Sequence, residues 1–187
     1  MTSAVEHPAP IVWITGLSGA GKTTLANAAA ALLRADGRAP VVLDGDAVRR
    51  ALDPEPLAVR HDREQRLRRA FRLAAMARDA ALRGAPVVVA TISLFHAVQR
   101  ANRRGNARYA EVLLTAGLDV LRARNPQRYG ACGFAGDADV VGVDIRPEFP
   151  VEPELTLVQN FSWADLAAHA RQVVALVHRL ERPESPP

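Results

Sequence analysis

A glycine-rich stretch, Gly-Leu-Ser-Gly-Ala-Gly-Lys-Thr at positions 16–23, has the spacing G-x-x-x-x-G-K-[ST]. Glycines at these positions let successive backbone N–H groups curl round the phosphates of a nucleotide, and a following helix adds positive potential. The lysine of this pattern reaches the β- and γ-phosphates, and the last hydroxyl binds Mg²⁺. The stretch therefore predicts a site for ATP with Mg²⁺. The residues predicted to form it are Gly16, Ser18, Gly19, Ala20, Gly21, Lys22, Thr23 and Thr24, of which Thr23 binds the metal.

The basic residues point to the same loop, because 23 of the 24 are arginines and the remaining one is Lys22. An arginine fork there would be bulkier and differently directed than a compact ammonium. A chain that uses arginine elsewhere and lysine here indicates a site where the difference matters. We therefore interpret Lys22 as catalytic; the weaker alternative is a glycine-rich turn that matches the pattern by chance.

Two aspartates flank a glycine in Asp44-Gly45-Asp46, at the end of the predicted second strand and so beside the glycine-rich loop. The third predicted strand ends without the aspartate that motor ATPases and GTPases use to hold Mg²⁺, and this pair is the natural substitute. We expect Asp44 to bind the metal and to line the acceptor pocket, and Asp46 to accept the proton of the acceptor hydroxyl. The structural alternative is that Asp46 caps a helix predicted over 47–52.

Arginines accompany these carboxylates. Arg49 lies one turn after Asp46, and Arg63 opens a later predicted helix, where the backbone also favours an anion. Runs of charged residues on helices usually form solvent-exposed faces. We interpret most of the other arginines between 60 and 72 in this way. Arg49 and Arg63 are predicted to hold an anionic small-molecule acceptor. Arg124 and Arg128 border a glycine-rich segment and would close on the transferring phosphate, unless they are ordinary surface arginines.

The order of predicted elements explains how these residues would meet. Apolar runs alternate with helical stretches, which predicts an α/β fold with a five-stranded parallel sheet and helices on both faces. Together with the glycine-rich loop and the two aspartates, this predicts a single-domain P-loop kinase. The strands are predicted at 11–15, 41–43, 86–92, 110–115 and 154–158, and the helices at 23–34, 47–52, 63–83, 96–104, 118–124 and from Ser162, with Asp165 completing a capping box. Ligands of such sheets bind at the carboxyl ends of the strands, where the motifs lie.

The 187 residues are expected to form one domain, with disordered tails at 1–10 and 183–187 and a mobile lid at 125–139. No stretch approaches the roughly 18 apolar residues of a membrane span, and the first ten residues lack the apolar core of a signal peptide. The single cysteine, Cys132, excludes an internal disulfide, so we predict a cytoplasmic protein without a membrane partner. The net charge of +4 leaves nucleic acid open, but the five Phe, two Tyr and two Trp form no stacking platform.

Several motifs, in order from about residue 11 to 158, resemble the adenylylsulfate kinase family. They are Gly-Leu-Ser-Gly-Ala-Gly-Lys-Thr-Thr-Leu-Ala from Gly16, Leu-Asp-Gly-Asp-Ala-Val-Arg from Leu43, Asp62-Arg63, Thr-Ile-Ser-Leu-Phe from Thr91, Arg124-Asn125-Pro126, and Val-Gly-Val-Asp from Val141 followed by Glu148 and Pro150. The resemblance implies phosphorylation of the ribose 3′-hydroxyl of adenosine 5′-phosphosulfate (APS) and a homodimer. It assigns Asp46, Arg49 and Arg63 to the acceptor, Ile92 and Ser93 to the loop beside it, and Arg124 to the lid.

The chain departs from this family in the acceptor pocket. Where the family stacks the acceptor's adenine between two phenylalanines, the matching positions hold Ala58 and Val140, and the lysines of the lid are gone. Because stacking contributes about 1–3 kcal/mol per base, we expect weak use of APS. The departures favour a different nucleotide-linked acceptor, such as that of cytidine diphosphoramidate kinases. A regulator that binds ATP without acceptor chemistry is the alternative of another class, and the retained Asp44, Asp46 and Arg49 argue against it.

Overall fold

The computed structural model describes residues 8–52, 63–129 and 146–182. Within these ranges the strands are β1 (Ile11–Thr15), β2 (Val41–Asp44), β3 (Val87–Thr91), β4 (Tyr109–Thr115) and β5 (Leu155–Val158). The helices are α1 (Lys22–Ala35), α2 (Gly45–Leu52), α3 (Arg63–Leu82), α4 (His96–Gly105), α5 (Leu118–Arg124), α6 (Pro126–Tyr129) and α7 (Trp163–Glu181). The strands and helices therefore alternate in the predicted way, with bounds shifted by one or two residues.

The five strands form one sheet in the order β2-β3-β1-β4-β5, and all four neighbouring pairs are parallel. This confirms the predicted α/β fold. In this order β3 lies between β2 and β1. Helix α1 contacts both β3 and β2, and Thr23 in its first turn meets Asp44 at the end of β2.

Helices cover both faces of the sheet, as the apolar strands predict. Side chains of β1 alternate between two cores: Val12 and Ile14 pack with α1 and α7, whereas Ile11 and Trp13 pack with α3 and α4. All four of these side chains are at least 98% buried. The loops that follow β1, β2 and β3 therefore leave the sheet at one edge, between two packed layers.

Two terminal features refine the prediction. Ser162 caps α7 as expected, since its Oγ accepts the backbone N–H of Asp165 at 3.0 Å. The predicted disordered tail at 1–10 does not include Ala9 and Pro10, because the N–H of Ala9 donates to Ala81 and the carbonyl of Pro10 accepts from Val87. Residues 1–7 and 183–187 lie outside the described residues.

The predicted lid at 125–139 begins with an element that the sequence did not reveal, the single-turn helix α6. Tyr129 at its end is buried in the core beside α1 and β4. Residues 130–139, including Cys132, lie outside the described part of the chain, so lid mobility stays a prediction. Among the described helices, none is long and apolar enough to cross a bilayer.

Candidate active site

The loop between β1 and α1 has the backbone of a phosphate cradle. Gly19 and Gly21 have φ values of 77° and 90°, the left-handed region that glycine adopts at little cost. A side chain at Gly16 would overlap the carbonyl of Leu114, and one at Gly19 would overlap the amide of Asn125. The glycines are therefore required both by backbone conformation and by the close approach of β4 and the end of α5.

Lys22 begins α1 and lies inside this loop, where its residue surface is only 8% exposed. Its Nζ donates a hydrogen bond of 2.7 Å to the carbonyl of Leu17, at the start of the loop. A flexible stem with a compact ammonium can make this turn back into the loop, whereas a planar guanidinium cannot do so in the same space. This burial gives a structural reason for lysine in a chain otherwise rich in arginine.

Thr23 and Asp44 are in direct contact, although they are 21 residues apart in sequence. The hydroxyl of Thr23 donates to Oδ2 of Asp44 at 2.5 Å, and Oδ1 of Asp44 accepts the N–H of Ala47 at 2.8 Å. A hydroxyl and a carboxylate oxygen held together are the hard oxygen donors that Mg²⁺ prefers, and Mg²⁺ commonly takes only one or two protein ligands besides phosphate and water. The pair therefore fits the predicted metal site.

The same contacts separate the roles of the two aspartates. The helix-capping carboxylate is that of Asp44, which also faces Thr23, whereas the prediction had considered a cap only for Asp46. Asp46 lies in the first turn of α2 and is exposed. Arg49, one turn later, is half-buried. Asp46 is thus open to a ligand at the end of β2, as a proton acceptor must be.

The predicted acceptor residues of the third strand lie beside the nucleotide loop. Thr15, the last residue of β1, pairs with Thr91, and its hydroxyl donates to the carbonyl of Ile92 at 3.2 Å. Ser93 is 92% buried, and its hydroxyl has no hydrogen-bond partner among the described residues. An orphaned buried hydroxyl at a sheet edge is a candidate for contact with a ligand.

Arg63 lies at the start of α3 and pairs with Glu148, with 2.6 Å between Nη2 and Oε1. Its guanidinium also lies over the ring of Phe95, 5.5 Å from the centroid. Burial alone would raise the pKa of Glu148, but the hydrogen bond from the N–H of His96 and the pairing with Arg63 outweigh it and lower that pKa. Glu148 is therefore ionised at neutral pH. Glu148 belongs to one of the motifs that resemble the family, but the sequence analysis predicted no role for it.

The lid side of the site contains residues that sequence reasoning missed. The guanidinium of Arg124 lies 4.0 Å over the ring centroid of Phe161, which has a left-handed backbone with φ 61°. Phe161 and Gln159 both come within contact distance of a side chain placed at Gly21. The hydroxyl of Tyr129 donates to the carbonyl of Ser18 at 2.7 Å. These contacts join the segment after β5 and α6 to the nucleotide loop.

The structure therefore brings most predicted residues to one edge of the sheet. The nucleotide loop, Thr23 and Asp44 are in contact or adjacent, and the segment of Ile92 and Ser93 lies beside them. Arg124 lies against Phe161, so its predicted closure on phosphate stays a prediction. Ala58 and Val140, on which the changed acceptor pocket depends, and the side chain of Arg128 fall outside the described residues.

Comparisons with known proteins show which family this chain resembles. The sequence model of the family described as adenylylsulphate kinase matches residues 8–158. The adenylyl-sulfate kinase of Paraburkholderia xenovorans is 37% identical over 150 residues, which cover 79% of this chain and 82% of that protein. The adenylyl-sulfate kinase of Vibrio cholerae is 34% identical over 182 residues, which cover 95% of this chain and 82% of the relative.

Longer proteins and solved structures are also similar. The bifunctional enzyme NodQ of Rhizobium tropici is 36% identical over 159 residues, and the match covers 83% of this chain but 25% of that enzyme. The structure of the APS kinase CysC of Mycobacterium tuberculosis in complex with AMPPNP and APS has a TM-score of 0.78 and 28% identity, covering 92% of this chain and 99% of that one. By the extent of the family match and the identity to two kinases of similar length, this chain belongs to the adenylylsulphate kinase family.

Proposed function

We propose that this protein is an ATP-dependent kinase that transfers the γ-phosphoryl group to the ribose 3′-hydroxyl of APS. The observation that carries the proposal is the 2.5 Å contact between Thr23 and Asp44 beside a complete nucleotide loop, in a member of this family. The M. tuberculosis relative was solved with an ATP analogue and APS together, which supports both substrates.

The nucleotide would be held by the loop. Backbone N–H groups of 16–23 and the N-terminus of α1 would bind the phosphates, and Lys22, which donates to the carbonyl of Leu17 in this structure, would contact the β- and γ-phosphates instead. Thr23 and Asp44 would hold Mg²⁺, which neutralises charge on the phosphates when bound. The 92% burial of Lys22 favours its charge as a close partner of phosphate, because little water screens it.

The acceptor would lie at the ends of β2 and β3. Asp46 is exposed there and would take the proton of the 3′-hydroxyl as that oxygen bonds to the γ-phosphorus and the bond to ADP breaks. Arg49 and Arg63 would hold the anionic 5′-group, and Ile92 and Ser93 would line the pocket. Arg124 would contribute from the lid side.

APS is proposed as the acceptor on the strength of the relatives, while its weak binding stays a prediction. The relatives of similar length are adenylyl-sulfate kinases, and no comparison favours a cytidine or uridine conjugate over APS. The expected loss of adenine stacking would then raise the Michaelis constant by about tenfold or more without changing the reaction.

The test is a panel of acceptors assayed for ADP release with Mg²⁺-ATP: APS, cytidine and uridine diphosphate conjugates, and phosphorylated sugars. We expect the highest kcat/KM with APS, and a 3′-phosphorylated product by phosphorus NMR. A matched preparation of Lys22→Ala controls for contaminating kinases. A higher kcat/KM with a cytidine conjugate than with APS would show that the acceptor is of a different class. No turnover with any member of the panel would contradict the kinase proposal.

We also propose a homodimer, which the family resemblance implies. Light scattering after size-exclusion chromatography measures this directly, and a monomeric mass at micromolar concentration would contradict it.

A further inference from the structure

Glu148 lies at the centre of a set of contacts that joins three parts of the chain. Its Oε1 accepts from Arg63 of α3 at 2.6 Å, and its Oε2 accepts the N–H of His96 of α4 at 2.7 Å. Its backbone N–H donates to Leu94 at 3.1 Å, and its backbone carbonyl accepts from Gln99 at 2.9 Å. Four hydrogen bonds thus fix both the backbone and the carboxylate of this residue.

These contacts make Glu148 the fixed member of its ion pair. The side chain of Glu148 is 29% exposed, and that of Arg63 is 60% exposed. Arg63 is the first residue of α3. The ring of Phe95 and the carboxylate of Glu148 are the contacts that the structure shows for its guanidinium. Among the described residues, loss of the carboxylate would leave the ring face as the contact shown for the guanidinium of this long side chain with many rotamers.

The pair also leaves the guanidinium available to a ligand. Arginine has five N–H donors in a fixed fork, and Glu148 takes one of them through Nη2. The exposed fraction of Arg63 shows that other donors reach solvent. The backbone bond of Glu148 to Leu94 places the pair next to Ser93, whose buried hydroxyl lacks a partner in the described residues.

We propose that Glu148 is a positioning residue for acceptor binding: its carboxylate holds the Arg63 guanidinium on Phe95, with the remaining donors directed at the anionic group of the acceptor. This inference rests on the proposed function. If the Arg63 guanidinium is already held in place before the acceptor binds, it does not have to be ordered on binding. Such preorganisation strengthens binding. The carboxylate would have the opposite effect if repulsion dominated, because a negative charge beside the site weakens the binding of an anionic ligand.

Glu148→Gln separates the two effects, since glutamine keeps an oxygen for the N–H of His96 and loses the charge that pairs with Arg63. Positioning predicts that the KM for APS rises about tenfold, while the KM for ATP and kcat change less than about twofold. The matched control is Glu152→Gln, an exposed glutamate of the same segment for which only a backbone contact, from Arg103, is shown. An unchanged or lowered KM for APS in Glu148→Gln would overturn the proposal.

A double-mutant cycle with Arg63→Ala distinguishes positioning from a structural role of the carboxylate at α4. If Glu148 acts through Arg63, Glu148→Gln adds no further rise in the KM for APS once Arg63 is alanine. A full additional rise would assign Glu148 to the fold and overturn the proposal. Glu148→Asp provides a second variant that retains the charge and should recover part of the affinity. Wild-type protein inactive on APS would contradict the proposed function itself, whereas active wild type with an unaltered Glu148→Gln contradicts only this inference.

Discussion

At the scale of single residues, the candidate chemistry depends on groups whose surroundings give each a distinct task. Lys22 is buried in the loop whose bound phosphates it would neutralise, Asp44 is held between Thr23 and the N-terminus of α2, and Asp46 is exposed two residues further on. Two neighbouring carboxylates therefore differ in what they can contact. This difference supports a metal-binding role for Asp44 and proton acceptance by Asp46.

The first prediction concerns Lys22. Lys22→Ala should abolish phosphoryl transfer and weaken ATP binding, because the buried ammonium would be the close counter-charge of the phosphates. Lys22→Arg should also fail, because the guanidinium does not fit the turn back toward Leu17. Turnover and calorimetric ATP affinity measure the effect, and circular dichroism checks that the fold survives. Near-normal turnover in either variant would show that the loop is not the phosphate site.

The second prediction concerns the proton acceptor. Asp46→Asn should lower kcat by about 10²-fold or more and leave the affinity for ATP nearly unchanged, because the side chain would act on the acceptor hydroxyl. Steady-state kinetics with APS measure both parameters. Asp44→Asn is the informative comparison, since loss of the metal-facing charge should raise the Mg²⁺ concentration needed for activity. Wild-type kcat in Asp46→Asn would leave Asp46 without a chemical role.

At the scale of elements, the nucleotide loop is supported from outside by α5, α6 and the segment after β5. Tyr129 is 7% exposed and donates to the carbonyl of Ser18, while Asn125 packs against Gly19. Because the carbonyl of Ser18 accepts a hydrogen bond from outside the loop, the N–H groups of the loop are left to point inward, where phosphate would bind. The loop is therefore shaped by the chain that follows β4 as well as by its own glycines.

The third prediction tests this support. Tyr129→Phe removes the hydroxyl and keeps the buried ring, so the fold should survive with a loss of about 1 kcal/mol in the free energy of unfolding. The looser loop should raise the KM for ATP about three- to tenfold, with a smaller effect on the KM for APS. Phe161→Leu, a change in the neighbouring segment, is compared with Tyr129→Phe in the same measurements. Equal KM values for ATP in wild type and Tyr129→Phe would show that the bond is incidental.

At the scale of the whole molecule, a partly buried polar network ties α4 to β4 and to the segment before β5. Arg103 pairs with Glu154 at 2.6 Å and with the 98% buried Glu111 at 3.0 Å, and the hydroxyl of Tyr109 donates to Glu111. Burial of Glu154 by itself raises its pKa, but the hydrogen bonds from Arg103 and from the N–H of Glu111 lower the net value below 4.5. Burial and the charge of Glu111 raise the pKa of Tyr109.

The fourth prediction is the acid sensitivity that follows. Because the folded pKa of Glu154 is lowered, its contribution to stability is complete above the unfolded value of about 4.5 and is lost as the pH falls through the folded value. Glu154→Gln should lower the free energy of unfolding by about 2 kcal/mol at pH 7. Below pH about 4.5 the stability of the variant should fall less steeply than that of the wild type. Urea denaturation at several pH values measures both. Parallel pH curves for wild type and variant would contradict the assignment, and Glu152→Gln controls for general charge effects.

Much of the fold and of the nucleotide site could be predicted from sequence, because their signals are local. The glycine spacing of 16–23, the alternation of apolar runs with helical stretches and the Ser162 cap each lie within a few consecutive residues. Backbone conformation and periodic burial are encoded over such short distances. The loop, the parallel sheet and the layered helices therefore followed from the sequence alone.

Tertiary structure decided which distant residues meet. Thr23 reaches Asp44 across β3, Glu148 reaches Arg63 from 85 residues away, and Tyr129 reaches the loop at Ser18 from 111. These contacts depend on the strand order β2-β3-β1-β4-β5, which periodic burial does not specify because every buried parallel strand has the same apolar pattern. The sequence by itself determined the kind of site, and the packing of the sheet and helices determined which carboxylate contacts Thr23 and which one pairs with Arg63.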